Sequence, residues 1–297
     1  MNTLSNPFNL DASQQAFSDH KFSAIECHLN DGVGILTLNR TALHNAFDDK
    51  MIAEMISALA LFSRETQCQV LVLRASGKHF SAGADLDWMR KQAHLDFEHN
   101  LNDARSLATL MHMLDQFPKP TLVLVQGAAY GGALGLICCC DIAISTPNAS
   151  FCLSEVKLGI IPAVISPYVM RAMGQRQARR YMLTAERFDA DIALSLNIVH
   201  QLSDNLEQAA LTHLQHLLAN SPQAMAWVKR LLRHIEDGAI NQDTLDYTSE
   251  RIARIRVSAE GQEGLNAFFD KRAPNWRPLD SSQEGAIPSP ATDSGAQ

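Results

Sequence analysis

Two short apolar runs, QVLVLRAS (69–76) and TLVLVQG (121–127), constrain this chain most, because each runs straight into a loop built largely from small residues. Neither run alternates polar with apolar, so each reads as a strand covered on both faces. Strands of that kind belong to parallel sheets, which need helical crossovers between neighbours. Helical patterns do separate the runs, and strand, loop, helix, strand in repeated succession predicts an α/β core. Right-handed connection then makes it a winding superhelix or a layered sheet.

The surrounding segments fit that core. SAIECHLNDGVGILTLNR (23–40) holds two alternating β-rich runs joined at Asp31-Gly32, a strong hairpin signal. Asp48 or Asp49 can cap a helix whose residues Met51, Ile52, Met55, Ile56, Leu59 and Phe62 recur at helical spacing. A long helical pattern passes through Leu101, Ala104, Ala108 and Met111 to Phe117, where Pro118 and Pro120 stop it. After the second run, GAAYGGALGLICCCD (127–141) turns at Gly131-Gly132 and continues as a short apolar helix into the strand DIAIST. From about Asn205 to Phe269 only helical patterns occur, with Ser221-Pro222 as cap and first turn and Asp237-Gly238 as a stop. The expected organisation is a polar extension (1–22), an α/β core (23–204), a helical region (205–278) and a disordered polar tail (279–297).

Composition narrows the classes of function. With 297 residues, 46% hydrophobic and 19% charged, the chain can bury a large core without covalent staples. No apolar run nears the roughly 20 residues of a membrane helix. The first residues have neither a basic start nor an apolar stretch, so no signal peptide is expected and cytoplasmic residence is the default. A net charge of −7 argues against broad nucleic-acid binding, which needs a basic face. Cys27, Cys68, Cys138, Cys139, Cys140 and Cys152 form no C-x-x-C pair and have no zinc spacing with histidines. Adjacent helical cysteines point about 100° apart, so the triplet reads as small apolar filler, and no metal is expected.

Nucleotide loops, the G-x-S-x-G elbow and H-E-x-x-H are absent. What remains is two loops after buried strands, SAGAD (81–85) and YGGALG (130–135). Small residues there let a ligand approach backbone N–H groups, and a helix beginning near Gly132 adds the positive end of its dipole. Two such donors would make an oxyanion hole. The alternative is a pair of tight turns where helices pack closely on strands.

Four motifs carry a resemblance: GKHFSAGADLDWM, GAAYGGALGL followed by CCDIAIS, FCLSEVKLGIIPAVIS, and SAEGQEGLNAFFDKRAPNW. Over roughly Ser23 to Pro278 the chain resembles the enoyl-CoA hydratase/isomerase, or crotonase, family. Its wording is most similar to the methylglutaconyl-CoA hydratases of leucine breakdown and related branched-glutaconyl-CoA hydratases. The resemblance implies a spiral of ββα units with a C-terminal helical trimerisation region, assembled as a homotrimer or a dimer of trimers. It also implies an acyl-CoA substrate and no further cofactor. By that match the N–H groups of Ala84 and Gly132 hold the thioester oxygen as it becomes an enolate, fixed donors being worth about 3 kcal/mol each. Glu155 is the general acid/base, and Leu153, Val156 and Leu158 around it should desolvate it and raise its pKa. Ala82 and Leu86 lie by the adenine end of CoA, and Phe268 and Lys271 match positions that contact CoA from the last helix.

One position departs from the pattern. Two-glutamate hydratases of the family carry a second catalytic acid where this chain has Gly135. Three consequences compete: hydration through Glu155 with water oriented by another group or by the substrate's own carboxylate; isomerisation by one carboxylate; or acyl-CoA binding without catalysis. The first agrees best with the motif wording, and loss of the side chain is expected to open space for a branched or carboxylated acyl group. Such a group needs a partner, with Arg90, Lys91, Arg171 and Arg176 as candidates. His44 and His79 read as hydrogen-bonded loop residues, Asp141 as an acceptor for backbone donors at a strand start, and Asp85 as a shaper of the oxyanion loop. Some relatives bind RNA through a lysine-rich helix face, for which the acidic balance offers no obvious counterpart.

Overall fold

The structure is a computed structural model that describes residues 6–9, 17, 19–235 and 239–276. It opens with the hairpin of β1 (Ile25–Asn30) and β2 (Val33–Leu38), paired antiparallel from Asn30 opposite Val33. Asp31 and Gly32 both take positive φ, 47° and 81°, the two-residue turn whose twist suits a hairpin. Helix α1 (Asp49–Arg64) follows, capped by Asp48, whose carboxylate accepts from the Met51 N–H at 2.8 Å. It buries Met51, Ile52, Met55, Ala58, Leu59 and Phe62, while Ile56 is half-buried.

The two apolar runs are β3 (Val70–Ala75) and β4 (Thr121–Val125). With β6 (Ile142–Ser145) and β9 (Gln201–Leu202) they complete a six-stranded sheet of order β1-β2-β3-β4-β6-β9, parallel from β2 onward. Strand alternation divides the core in two. Leu71, Leu73, Ala75, Val123 and Val125 pack with α1, with α3 (Phe97–Asp115) and with α4 (Gly132–Cys139). Val70, Val72, Leu122, Leu124 and Ile144 face α8 (Leu206–Leu218) through Ala209, Ala210, Leu214 and Leu218. Phe8, from the polar extension, joins this second layer and lies under the Arg74 guanidinium.

A second, three-stranded sheet orders β5 (Ala128–Tyr130), β7 (Ser150–Cys152) and β8 (Phe188–Asp189) as β5-β7-β8. Its strands are too short to show as patterns, as is α2 (Leu86–Gln92), which occupies ground the sequence leaves between loop and long helix. Helices α5 (Ser166–Met173), α6 (Gln175–Thr184) and α7 (Ala190–Ser195) complete the core. The cysteine triplet closes α4, with Cys139 and Cys140 buried and Cys138 half-buried, its thiol pushed up to about 12 by burial. Asp141 accepts from the Thr121 N–H at 2.7 Å, the strand-start role expected of it.

Beyond α8 come α9 (Pro222–Ile235), α10 (Gln242–Arg256) and α11 (Ala259–Phe269). Ser221 Oγ accepts from the Ala224 N–H and Pro222 opens α9, the expected cap and first turn. Helices α9 and α10 bury no residue and α11 buries Ala267 alone, so by packing α8 belongs with the sheet and the other three stand apart. Lys229 fastens α9 to the core, its ammonium donating to Asp141 at 2.5 Å and to the Lys119 carbonyl at 3.0 Å. The Asp237-Gly238 stop and the tail at 279–297 lie outside the described residues. Among those described, no helix is long and apolar enough to cross a membrane.

Gly127 joins β4 to β5 with φ +60°, and a Cβ there would stand 2.2 Å from the Lys78 carbonyl and 2.6 Å from His79 Nδ1. The left-handed backbone and the collision act together. Gly127→Ala should cost roughly 2–4 kcal/mol, read as a fall in Tm; an unchanged Tm would refute the close approach.

Candidate active site

Backbone hydrogen bonds build the site before any side chain contributes. Phe47 makes an isolated parallel bridge to Ala84, its N–H donating to the Gly83 carbonyl and its own carbonyl accepting from the Asp85 N–H, both at 2.8 Å. In a parallel pairing of this kind the flanked residue turns its own N–H away from its partner. Ala84 therefore offers a donor that meets no backbone acceptor among the described residues. On the other edge of the loop, Ser81 bridges Ala129: Ser81 N–H donates to Ala128 and Tyr130 N–H donates to Ser81, both at 3.0 Å.

That bridge places SAGAD beside YGGALG. Gly131 takes φ +57° and donates its N–H to the Cys152 carbonyl at 2.9 Å, after which α4 begins at Gly132. As the first residue of a helix, Gly132 has an N–H with no intrahelical partner. No backbone acceptor among the described residues meets it either. A Cβ on Gly132 would lie 3.6 Å from the Phe47 ring, so one side chain abuts the Gly132 backbone while its own backbone brackets Ala84.

Glu155 opens a short 3-10 turn (Glu155–Leu158) just after β7, which pairs parallel with β5. Its carboxylate stands 3.2 Å from where a Cβ on Gly131 would be, so the three motifs converge. The carboxylate is half-buried, Oε2 has no hydrogen-bond partner, and burial holds its pKa above the usual carboxylate range. The expected direction is borne out, although Leu158 is 61% exposed and does not shield the acid.

Supporting residues explain the loop's rigidity. Asp85 caps α2, accepting from the Asp87 and Trp88 N–H groups, and accepts from Arg40 at 2.9 Å. The Trp88 N–H, with Arg40 behind it, holds the carboxyl below its usual range. Arg40 also pairs with Asp48 at 2.8 Å, and buried Asn45 donates to the carbonyls of Ser76 and His79 at 2.8 and 2.9 Å. Sequence reading missed Arg40 and Asn45; nothing in their spacing announces partners 31 to 45 residues away. His79 Nδ1 accepts from the Ala128 N–H at 3.0 Å, and burial lowers its pKa, as suits a structural loop histidine. His44 packs edge-on to it, and its carbonyl accepts from the Ala82 N–H at 3.0 Å.

Other expected residues are not gathered in. Leu86 heads α2 at 68% exposure, and Phe268, at 78%, and Lys271 sit on or just after α11. Arg90 pairs with Asp87 at 2.5 Å, and Arg171 pairs with Asp115 beside a cavity of about 380 Å³ that Ala84, Gly132 and Glu155 do not line.

The expectation at Gly135 is overturned. A Cβ there would stand 2.4 Å from Ile165 Cγ2 and 3.0 Å from Met111 Sδ, and both residues are buried. No space opens for an acyl group at that point, because Ile165, just before α5, and Met111 of α3 have filled it.

The profile of the enoyl-CoA hydratase/isomerase family matches residues 28–278. The chain belongs to this family. It is similar to 2,3-dehydroadipyl-CoA hydratase of Escherichia coli, 30% identical over 82% of this chain and 94% of that one. Among solved structures it is similar to an enoyl-CoA hydratase from Shewanella pealeana, with 68% identity and a TM-score of 0.85 over 86% of this chain and 96% of that one. AtuE of Pseudomonas aeruginosa matches with 36% identity and a TM-score of 0.83 over 86% of this chain and all of that one, 100%. The fold is thus the crotonase fold, an α/β spiral of ββα units with C-terminal helices.

A carboxyl whose folded pKa is raised binds its proton more tightly in the folded chain, so ionising it costs stability. That cost is absent below the ordinary carboxylate range and appears as pH rises through the folded pKa. Glu155→Gln should therefore melt higher than the parent at pH 8 and lose that advantage at pH 4, a comparison thermal melts decide.

Proposed function

We propose that this chain adds water to the double bond of an enoyl-CoA thioester. The observation that carries this reading is the pair of unpartnered N–H groups, Ala84 and Gly132, on loops tied side by side next to a desolvated carboxyl. Addition of water to the β-carbon pushes charge onto the thioester oxygen, and donors aimed at it stabilise the enolate without reorganising. Of the two carboxyls in these motifs, Asp85 is committed to Arg40 and to the first turn of α2, which leaves Glu155 as the acid/base. Its raised pKa suits a group that takes a proton from water and returns one to the α-carbon. Ala82 on the oxyanion loop and Leu86 at the head of α2, with Phe268 on α11 and Lys271 just after it, are the proposed CoA contacts. No further cofactor is needed.

The acyl group we favour is branched or carboxylated, as in 3-methylglutaconyl-CoA. Support comes from the motif wording and from a relative whose name denotes a dicarboxylic acyl chain. Gly135 does not support it, since its space is filled. A homotrimer or a dimer of trimers is the proposed assembly, supported by the apolar surface that Leu232, Ile252 and Phe269 leave on the last three helices. Cytoplasmic residence is the proposed location. A second reading, isomerisation by Glu155 alone, is favoured by the single carboxylate, since one group can remove a proton and return it elsewhere.

Mass spectrometry of 3-methylglutaconyl-CoA and crotonyl-CoA incubated with the enzyme tests these readings. Gain of one water, lost in Glu155→Gln, is expected, with the branched substrate preferred. Deuterium uptake from heavy water without hydration would replace hydratase by isomerase, and neither signal would leave a binding protein. Gly132→Pro, which deletes one donor, should lower kcat by roughly 100-fold or more.

A further inference from the structure

Oε2 of Glu155 has no hydrogen-bond partner, and the one hydrogen bond acting on the carboxyl comes from the residue's own backbone N–H, so where the acid stands depends on how its segment is packed. The turn that carries it touches α6, yet the stretch that follows is poorly packed: Lys157, Leu158, Gly159, Ile160 and Ile161 are all exposed, and a Cβ on Gly159 would meet nothing within 4 Å. Between Leu153 and Ile165 only Pro162 is buried. Leu153 anchors one end through β7. The other end is anchored at Ile165, 2% exposed, whose Cγ2 sits in the notch left by the missing side chain of Gly135. Gly135 lies one turn beyond Gly132 on α4, so this contact joins the helix that supplies a donor to the segment that supplies the acid.

We propose that Ile165 is a positioning residue for Glu155: seated in the Gly135 notch, it fixes the 155–165 segment against α4 and so sets where the carboxylate stands relative to the Gly132 N–H. Gly135 is then a socket, and the chain needs glycine there because Ile165 comes too close for any other residue. The inference rests on the reading of Glu155 as acid/base for its catalytic consequence, but the positioning itself does not. Charged groups near the turn are Lys157 and Arg187, both acting on the Cys152 thiol, and neither contributes to the shift at Glu155.

Two nearly isosteric variants separate this role from plain core filling. Ile165→Leu keeps the volume and removes Cγ2; Ile165→Val removes the terminal methyl and keeps Cγ2. Both should fold, volume-conserving or one-methyl changes being mild. Carbon NMR of labelled glutamate side chains should show Glu155 titrating lower in Ile165→Leu than in the parent, as water reaches a displaced carboxylate, and unchanged in Ile165→Val. In hydration assays Ile165→Leu should lose roughly tenfold or more in kcat with little change in KM, and Ile165→Val should stay near the parent. Coincident Glu155 titrations in all three proteins would overturn the proposal. Failure of the parent to hydrate any enoyl-CoA would instead sink the hydratase reading, leaving the titration to judge Ile165.

Discussion

The candidate site depends on how Phe47 pairs with the loop at Ala84. A backbone N–H removed from water must find an acceptor, and the bridge satisfies the N–H groups of Phe47 and Asp85 while leaving that of Ala84, between Gly83 and Asp85, turned outward. The Ser81 bridge on the other edge keeps the loop from rotating to satisfy that donor internally. An unpartnered N–H is costly in a folded chain, and here two of them are held beside one another by hydrogen bonds made by their neighbours. Arg40, bound to both Asp48 and Asp85, ties the loop to the start of α1, so the hydrophobic packing of α1 is transmitted to the position of Ala84.

Stability and chemistry pull in opposite directions at Glu155. Its carboxyl is desolvated without a compensating hydrogen bond at Oε2, which is unfavourable for the folded chain and, on the proposed function, useful for proton transfer. The surrounding structure supplies what hydrogen bonding does not. Parallel pairing of β5 with β7 fixes the near side of the turn, and the seat of Ile165 on Gly135 fixes the far side. The absence of a side chain at 135 is thus a packing requirement as well as the loss of an acid.

The C-terminal helices divide by what they cover. Helix α8 seals the back of the sheet and is part of the core. Helices α9 to α11 bury almost nothing in the single chain, and α9 is held chiefly by polar contacts from Lys229 and Arg233. Leu232 on α9 and Ile252 on α10 are left exposed in the single chain.

Sequence alone determined the elements whose physical cause is local. The Asp31-Gly32 hairpin, the Asp48 cap, the two apolar runs and the Ser221-Pro222 helix start each follow from turn geometry, capping or periodicity within a few residues. The two small-residue loops were legible as places where backbone could be approached closely, while the Glu155 segment stood out only through the family resemblance. Tertiary structure decided the rest. Strands of two or three residues in the second sheet carry no period, Arg40 and Asn45 act on residues far along the chain, and the fate of Gly135 turned on a side chain 30 residues away. A missing side chain reads in sequence as empty space, but close packing fills such space, and only the fold says with what.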